Sequence, residues 1–114
     1  MEKDYKGMYR RLNTLMGKLG KEIPDTMGAF SKLHESVFAG EALDAKTKEL
    51  ISVGISIVIR CEGCIVAHVH DALKAGATRE EIAETIGVAI LMGGGPSVAY
   101  GCEAYAALEQ FSEE

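Results

Sequence analysis

Cys61 and Cys64 are separated by two residues, and His68 follows four positions after the second cysteine. On a helix that begins near Cys61, this spacing sets all three side chains on one face. A thiol near a helix N-terminus sits at the positive end of the macrodipole, which favours the thiolate. An imidazole one turn along takes or supplies a proton. The thiolate is the form that attacks a peroxide or a disulfide. A second thiol within reach then converts the resulting sulfenic acid into a disulfide before further oxidation destroys it. The same residues also offer three zinc ligands, with His70, Asp71 or Cys102 as a fourth. Zinc sites of this kind place close cysteines in a turn and draw the other ligands from another element. Here the three share a single helix face, and a second ligand pair is missing.

The elements that position these residues follow from the apolar periodicity, which is helical. Tyr5, Met8, Leu12, Leu15, Met16 and Leu19 form one stripe over about 3–19, ended by Gly20 and Pro24. Met27, Phe30, Leu33, His34, Val37 and Phe38 form a second, closed by Gly40. Asp44 is an N-cap for a third helix reaching about Arg60. A fourth carries Cys64 to about Ala75, with Gly76 as its C-terminal glycine. Thr78 to Glu81 reads as a capping box for a fifth. It breaks at Gly93-Gly94-Gly95, and Pro96 opens a last helix from Ser97 to about Phe111. The expected fold is all-α: one domain over 1–114, a bundle of five to six helices around a helix-hairpin core.

In that hairpin the third and fourth helices meet near Arg60 and Cys61, which sets Glu49 opposite His68 and Asp71. There the carboxylate orients the imidazole and favours its charged form. The other reading is a solvated first-turn glutamate, favourable to the helix dipole. Spacing alone leaves the two level. His70, two residues from His68, points to another face and reads as an exposed or interface histidine. Cys102 reads as a small buried residue. Tyr100 and Tyr105 read as aromatic packing, and Met8, Met16 and Met27 as core or subunit contact.

The bulk properties narrow the class further. A net charge of −5 with scattered lysines argues against nucleic acid and against an anionic membrane surface. The longest apolar run, residues 50–59, is too short to span a bilayer, and the first residues lack a signal-peptide pattern. A cytoplasmic protein is expected, and there three cysteines do not make a disulfide framework. Residues 50–59 are apolar nearly all round, so the third helix is expected to be buried on all sides. One small domain covers such a helix with difficulty, which predicts a homo-oligomer.

Glu49, Cys61, Cys64 and His68 together form Glu-x11-Cys-x2-Cys-x3-His. This resembles the core motif of the alkylhydroperoxidase D proteins in the carboxymuconolactone decarboxylase superfamily. The flanks agree: Ala-Lys-Thr-Lys-Glu-Leu-Ile-Ser at 45–52, Ala-Gly-Ala-Thr-Arg-Glu-Glu-Ile-Ala-Glu at 75–84, and Met92-Gly93-Gly94-Gly95-Pro96. The likeness covers about 30–111. It implies an all-helical fold assembled as trimers or hexamers, and peroxidase activity on a small hydroperoxide. Cys64 becomes the sulfenic acid, Cys61 resolves it to a disulfide, and Glu49 and His68 relay protons. No cofactor is implied as tightly bound, and no metal. An external dithiol of dihydrolipoyl type regenerates the enzyme, and a peroxiredoxin or a dihydrolipoyl protein is the implied partner. The chain departs from the full-length enzyme in being much shorter and in having Gly63 between the cysteines. The alternatives from other classes are a non-catalytic helical oligomer and a redox-sensing or zinc-binding module. A carboxymuconolactone decarboxylase-type lyase is the lesser alternative, since that chemistry needs no thiol couple.

Overall fold

A computed structural model describes residues 3–113. Six helices follow in order: α1 Tyr5–Glu22, α2 Pro24–Ala39, α3 Ala45–Val58, α4 Glu62–Lys74, α5 Arg79–Gly93 and α6 Gly95–Phe111. No strand occurs among the described residues. The boundaries follow the capping chemistry. Asp4 and Asp44 accept hydrogen bonds from the backbone N–H groups of Gly7 and Thr47 at 2.9 and 2.8 Å, opening α1 and α3. Thr78 and Glu81 form a reciprocal capping box at the start of α5. α1 runs through Gly20 to Glu22, past the expected end at Leu19, because Pro24 disrupts the helix only at the residue before it. Ile23 alone joins α1 to α2. α4 and α6 each begin two residues before the expected Cys64 and Ser97.

The turn from α3 to α4 matters most for the site. Cys61 N–H donates to the Ser56 carbonyl and Arg60 N–H to the Ile57 carbonyl, both at 3.1 Å. This is the paired Schellman pattern that satisfies the last carbonyls of a helix. Its pivotal position requires a left-handed backbone, and here Arg60 occupies it with φ 62°. The same pattern closes α4, where Ala77 donates to Ala72, Gly76 donates to Leu73, and glycine holds the pivot with φ 99°. The α3–α4 turn is thereby tight enough for Cys61 to be both the end of one motif and the N-cap of the next helix.

α3 and α4 form the central hairpin, with α5 and α6 packed on it and α1 laid against α4 and α6. Val53 and Ile57 of α3, Ile65 and Val69 of α4, Ile82 of α5 and Leu108 of α6 are fully buried in this core. Gly101 lets α5 and α6 approach closely, since a Cβ there would lie 2.8 Å from Cγ2 of Ile86. Gly94, with φ 72° and ψ −153°, makes the break between them in a conformation almost confined to glycine.

The expected burial of α3 on all sides is not found within one chain. Val53, Ser56 and Ile57 face inward, but Ile51, Ile55, Val58 and Ile59 are exposed. The helix packs mainly against α4, α5 and α6, and α2, which buries none of its residues, meets it through Lys48 near its C-terminal end without covering these side chains. Nor is Cys102 buried: it is exposed, beside a surface groove between α5 and α6. Gly101 and Ala104 beside it take the inward positions on that helix.

Candidate active site

The Cys61 and Cys64 sulfurs are joined as a disulfide across a Cα separation of 5.2 Å. Cys61 stands just outside α4 in extended backbone, and Cys64 is in the first turn. The Cys61 sulfur accepts the Cys64 N–H at 3.2 Å, taking the place of the usual oxygen cap. Both residues are half-buried. Helix geometry places His68 one turn beyond Cys64 on the same face.

His68 meets Glu49 across the α3–α4 hairpin, with Nδ1 2.8 Å from Oε1. Glu49 is buried at 6% exposure, so its carboxylate has little access to water and His68 is its polar partner. Such a bond assigns the proton to Nδ1 in the neutral ring and leaves Nε2 as the basic nitrogen. The structure therefore favours a paired Glu49 over a solvated one, and the antiparallel hairpin is what pairs it.

Asp71 joins this cluster. One ligand atom from each of Glu49, His68 and Asp71 lies within 4.8 Å of the other two. Asp71 Oδ1 faces Nδ1 of His70 at 2.9 Å and accepts from the Tyr9 hydroxyl at 3.3 Å. His70 is half-buried rather than exposed: its ring stacks on Tyr9 with centroids 3.9 Å apart, and Phe111 meets it edge-on. Burial pushes the Tyr9 phenol above its ordinary range, and the Asp71 and Glu49 carboxylates add to the effect. The sequence pattern alone does not mark Tyr9 as a site residue. It lies one turn after Tyr5 on the α1 stripe, and periodicity does not say which helix that stripe touches. α1 also approaches the dithiol, since a Cβ on Gly63 would lie 3.8 Å from Cδ2 of Leu12.

The other sequence candidates lie elsewhere. Tyr100 packs on the core, whereas Tyr105 is exposed and accepts a hydrogen bond from Arg79 at 3.0 Å. Met8 is packed against the core, Met27 is half-buried and Met16 is exposed. Cys61 and Cys64, bonded to each other, do not join His68 as a set of free ligands. Among the described residues, the group of potential ligands that does converge is Glu49, His68 and Asp71.

The sequence profile of the carboxymuconolactone decarboxylase family matches residues 24–107, most of the chain. The chain belongs to this family. A carboxymuconolactone decarboxylase family protein from Legionella pneumophila has a similar structure, with a TM-score of 0.90 and 42% identity over 95% of this chain and 96% of that one. A family protein from Thermotoga maritima, for which a part in the antioxidative response has been suggested, aligns with a TM-score of 0.73 and 30% identity. That alignment covers 86% of this chain and 90% of its counterpart. The alkyl hydroperoxide reductase AhpD of Coxiella burnetii is 31% identical over 64 residues, 56% of this chain and 36% of that enzyme. This carboxymuconolactone decarboxylase family chain thus spans about a third of the reductase it matches. Among the described residues, none of its helices is long and apolar enough to cross a membrane.

Proposed function

We propose that the protein is a dithiol-dependent peroxidase or disulfide reductase, with small hydroperoxides as substrates. The observation that carries this reading is the pairing of buried Glu49 with half-buried His68, one helical turn from a disulfide-forming Cys61–Cys64 couple. The likeness to an alkyl hydroperoxide reductase supports it.

In the proposed cycle the Cys64 thiolate attacks the terminal oxygen of the hydroperoxide. The O–O bond breaks, Cys64 becomes a sulfenic acid, and the alkoxide leaves as an alcohol after taking a proton relayed through His68. The Cys61 thiol then attacks the sulfenic sulfur, releasing water and forming the disulfide present in the structure. An external dithiol, of dihydrolipoyl type, returns both thiols by exchange and is itself oxidised. Glu49 holds the His68 ring and balances its charge when it carries the extra proton. No tightly bound cofactor or metal enters the cycle. A peroxiredoxin or a dihydrolipoyl protein is the proposed redox partner, the cytoplasm the proposed compartment, and a trimer or hexamer the proposed assembly.

Lactone decarboxylation is less well supported, because it needs a place for developing negative charge and gives the two cysteines no task. Cys64→Ser decides the main point. It should abolish dithiol-dependent hydroperoxide turnover, while Cys61→Ser should leave a sulfenic acid at Cys64 that a carbon nucleophile traps. Full turnover in Cys64→Ser overturns the reading. A non-catalytic redox sensor would form the same disulfide but without catalytic turnover of the external dithiol.

A further inference from the structure

α3 and α4 bring two carboxylates and an imidazole to one point. Glu49 comes from α3, while His68 and Asp71 stand at i and i+3 on α4 and share a face. One donor atom from each lies within 4.8 Å of the other two. A zinc-like ion holds nitrogen and oxygen ligands at about 2.0–2.2 Å, which sets neighbouring donors of a tetrahedron about 3.4 Å apart. The 2.8 Å between Glu49 Oε1 and His68 Nδ1 and the 4.8 Å limit of the whole group bracket that spacing, so modest side-chain movements enclose an ion. Helical bundles build metal sites in the same way, from a carboxylate on one helix and an imidazole and carboxylate three residues apart on another.

The surroundings suit a ligand set. Asp71 Oδ1 accepts from the Tyr9 hydroxyl at 3.3 Å and faces His70 Nδ1 at 2.9 Å. A carboxylate has about four lone-pair positions, so these two bonds fix its orientation and leave capacity for an ion. Outer hydrogen bonds of this kind orient the ligands of metal sites. Glu49 is buried, whereas the His68 and Asp71 side chains keep 27 and 35% of their surface. The donors are therefore anchored on the inner side and open on the outer side to an ion and its waters. Magnesium and calcium take oxygen ligands, so the imidazole favours zinc or another first-row divalent ion. In the disulfide form Cys61 and Cys64 offer no thiolate to compete.

We propose that Glu49, His68 and Asp71 form a divalent transition-metal site in the disulfide form of the protein, and that the bound ion blocks the His68 relay. Nδ1 is the ring nitrogen that faces Glu49, so the ion takes the place of the proton between them. A neutral imidazole carries one ring proton, which then sits on Nε2. The nitrogen that serves as base is no longer able to accept a proton. Ion binding thus reverses the tautomer that the Glu49 bond imposes. The binding stands apart from the thiol chemistry, and only its consequence for turnover rests on the proposed cycle.

Zinc added to protein with isotope-labelled histidines tests this, with the disulfide intact and Cys102→Ser to remove the remaining thiol. One equivalent should bind by calorimetry, and proton–nitrogen spectra should show His68 exchange a protonated Nδ1 for a protonated Nε2. Asp71→Asn and Glu49→Gln should each weaken binding by about 10²-fold or more. Tyr9→Phe, which keeps the ring beside His70 but drops the hydroxyl from Asp71, should weaken it by about tenfold. Circular dichroism checks each fold, and Tyr9→Phe carries the comparison should Asp71→Asn not fold. No saturable binding at a tenfold excess of zinc, signals that move only at His34 or His70, or unchanged affinity in Asp71→Asn or Tyr9→Phe overturns the proposal. Zinc binding of the expected form in a protein that turns over no hydroperoxide supports the metal site and overturns the thiol reading alone.

Discussion

Glu49 Oε1 lies 2.8 Å from His68 Nδ1, and this contact joins the single, buried carboxylate of α3 to the helix that carries the dithiol. The pair is asymmetric: Glu49 is shielded, whereas the His68 side chain keeps 27% of its accessible surface. The buried partner depends on the exposed one for its hydrogen bond, and the exposed one depends on the buried one for its tautomer.

In the proposed peroxidase cycle, Glu49→Gln should lower kcat/KM for hydroperoxide by about 10²-fold, the lower end of general acid–base contributions. Glutamine presents its oxygen to the Nδ1 proton but carries no charge to balance an imidazolium. His68→Ala should cost about 1–3 kcal/mol of stability as well as activity, since a buried carboxylate loses its partner. Steady-state kinetics and urea unfolding of the two variants check both expectations. Unchanged turnover in both removes the relay from the mechanism.

Arg60→Gly should stabilise the fold by about 0.5–1 kcal/mol. Arginine pays for the left-handed backbone at φ 62° with contacts to Cβ that glycine lacks, and the gain is reduced by glycine's greater freedom when unfolded. Chemical denaturation measures the shift, which should appear equally with the disulfide intact or reduced.

Gly101→Ala should destabilise by about 1–3 kcal/mol, because the added methyl meets Ile86 at 2.8 Å and forces α5 and α6 apart. Thermal unfolding tests this, and combining it with Ile86→Ala, which removes the Cγ2 methyl, should cost less than the sum of the two single changes.

Thiol counting separates the three cysteines. The oxidised, native protein should present one titratable thiol, at the exposed Cys102, and reduction should add those of Cys61 and Cys64. Cys102→Ser should remove the oxidised protein's signal and leave hydroperoxide turnover intact.

Acid should loosen the α3–α5 contact. The hydrogen bond from Lys46 holds the Glu81 carboxyl below its ordinary 4.5, aided by the Thr78 backbone N–H. A depressed carboxyl stabilises the fold above its unfolded pKa, and that contribution is lost as pH falls through the folded value. The unfolding midpoint should thus drop below about pH 4.5, with a flatter acid limb in Glu81→Gln. Salt should weaken the effect, because the pair is at the surface.

Much of the architecture was legible because it is local. Asp44, Thr78, Glu81 and Gly76 act within a few residues of themselves, so capping chemistry marks helix ends without knowledge of the rest of the chain. The same holds for Cys61, Cys64 and His68, whose common face follows from one helix's period. Glu49 is the intermediate case: an antiparallel hairpin sets it opposite His68, but whether it is paired or solvated depends on how closely α3 and α4 pack. Tyr9 and the fate of His70 were not legible, since an apolar stripe states that a helix is covered on one side and not by what. For Cys102 the period does not set which small residues of α6 turn inward; packing against Ile86 gives that place to Gly101. α3 shows the converse limit. Its sequence specifies apolar residues all round, and only the tertiary structure decides that one chain leaves a face of them open, because the remaining apolar helix, α2, is held on α1. Local chemistry is written residue by residue, whereas burial is a property of which elements run out of neighbours.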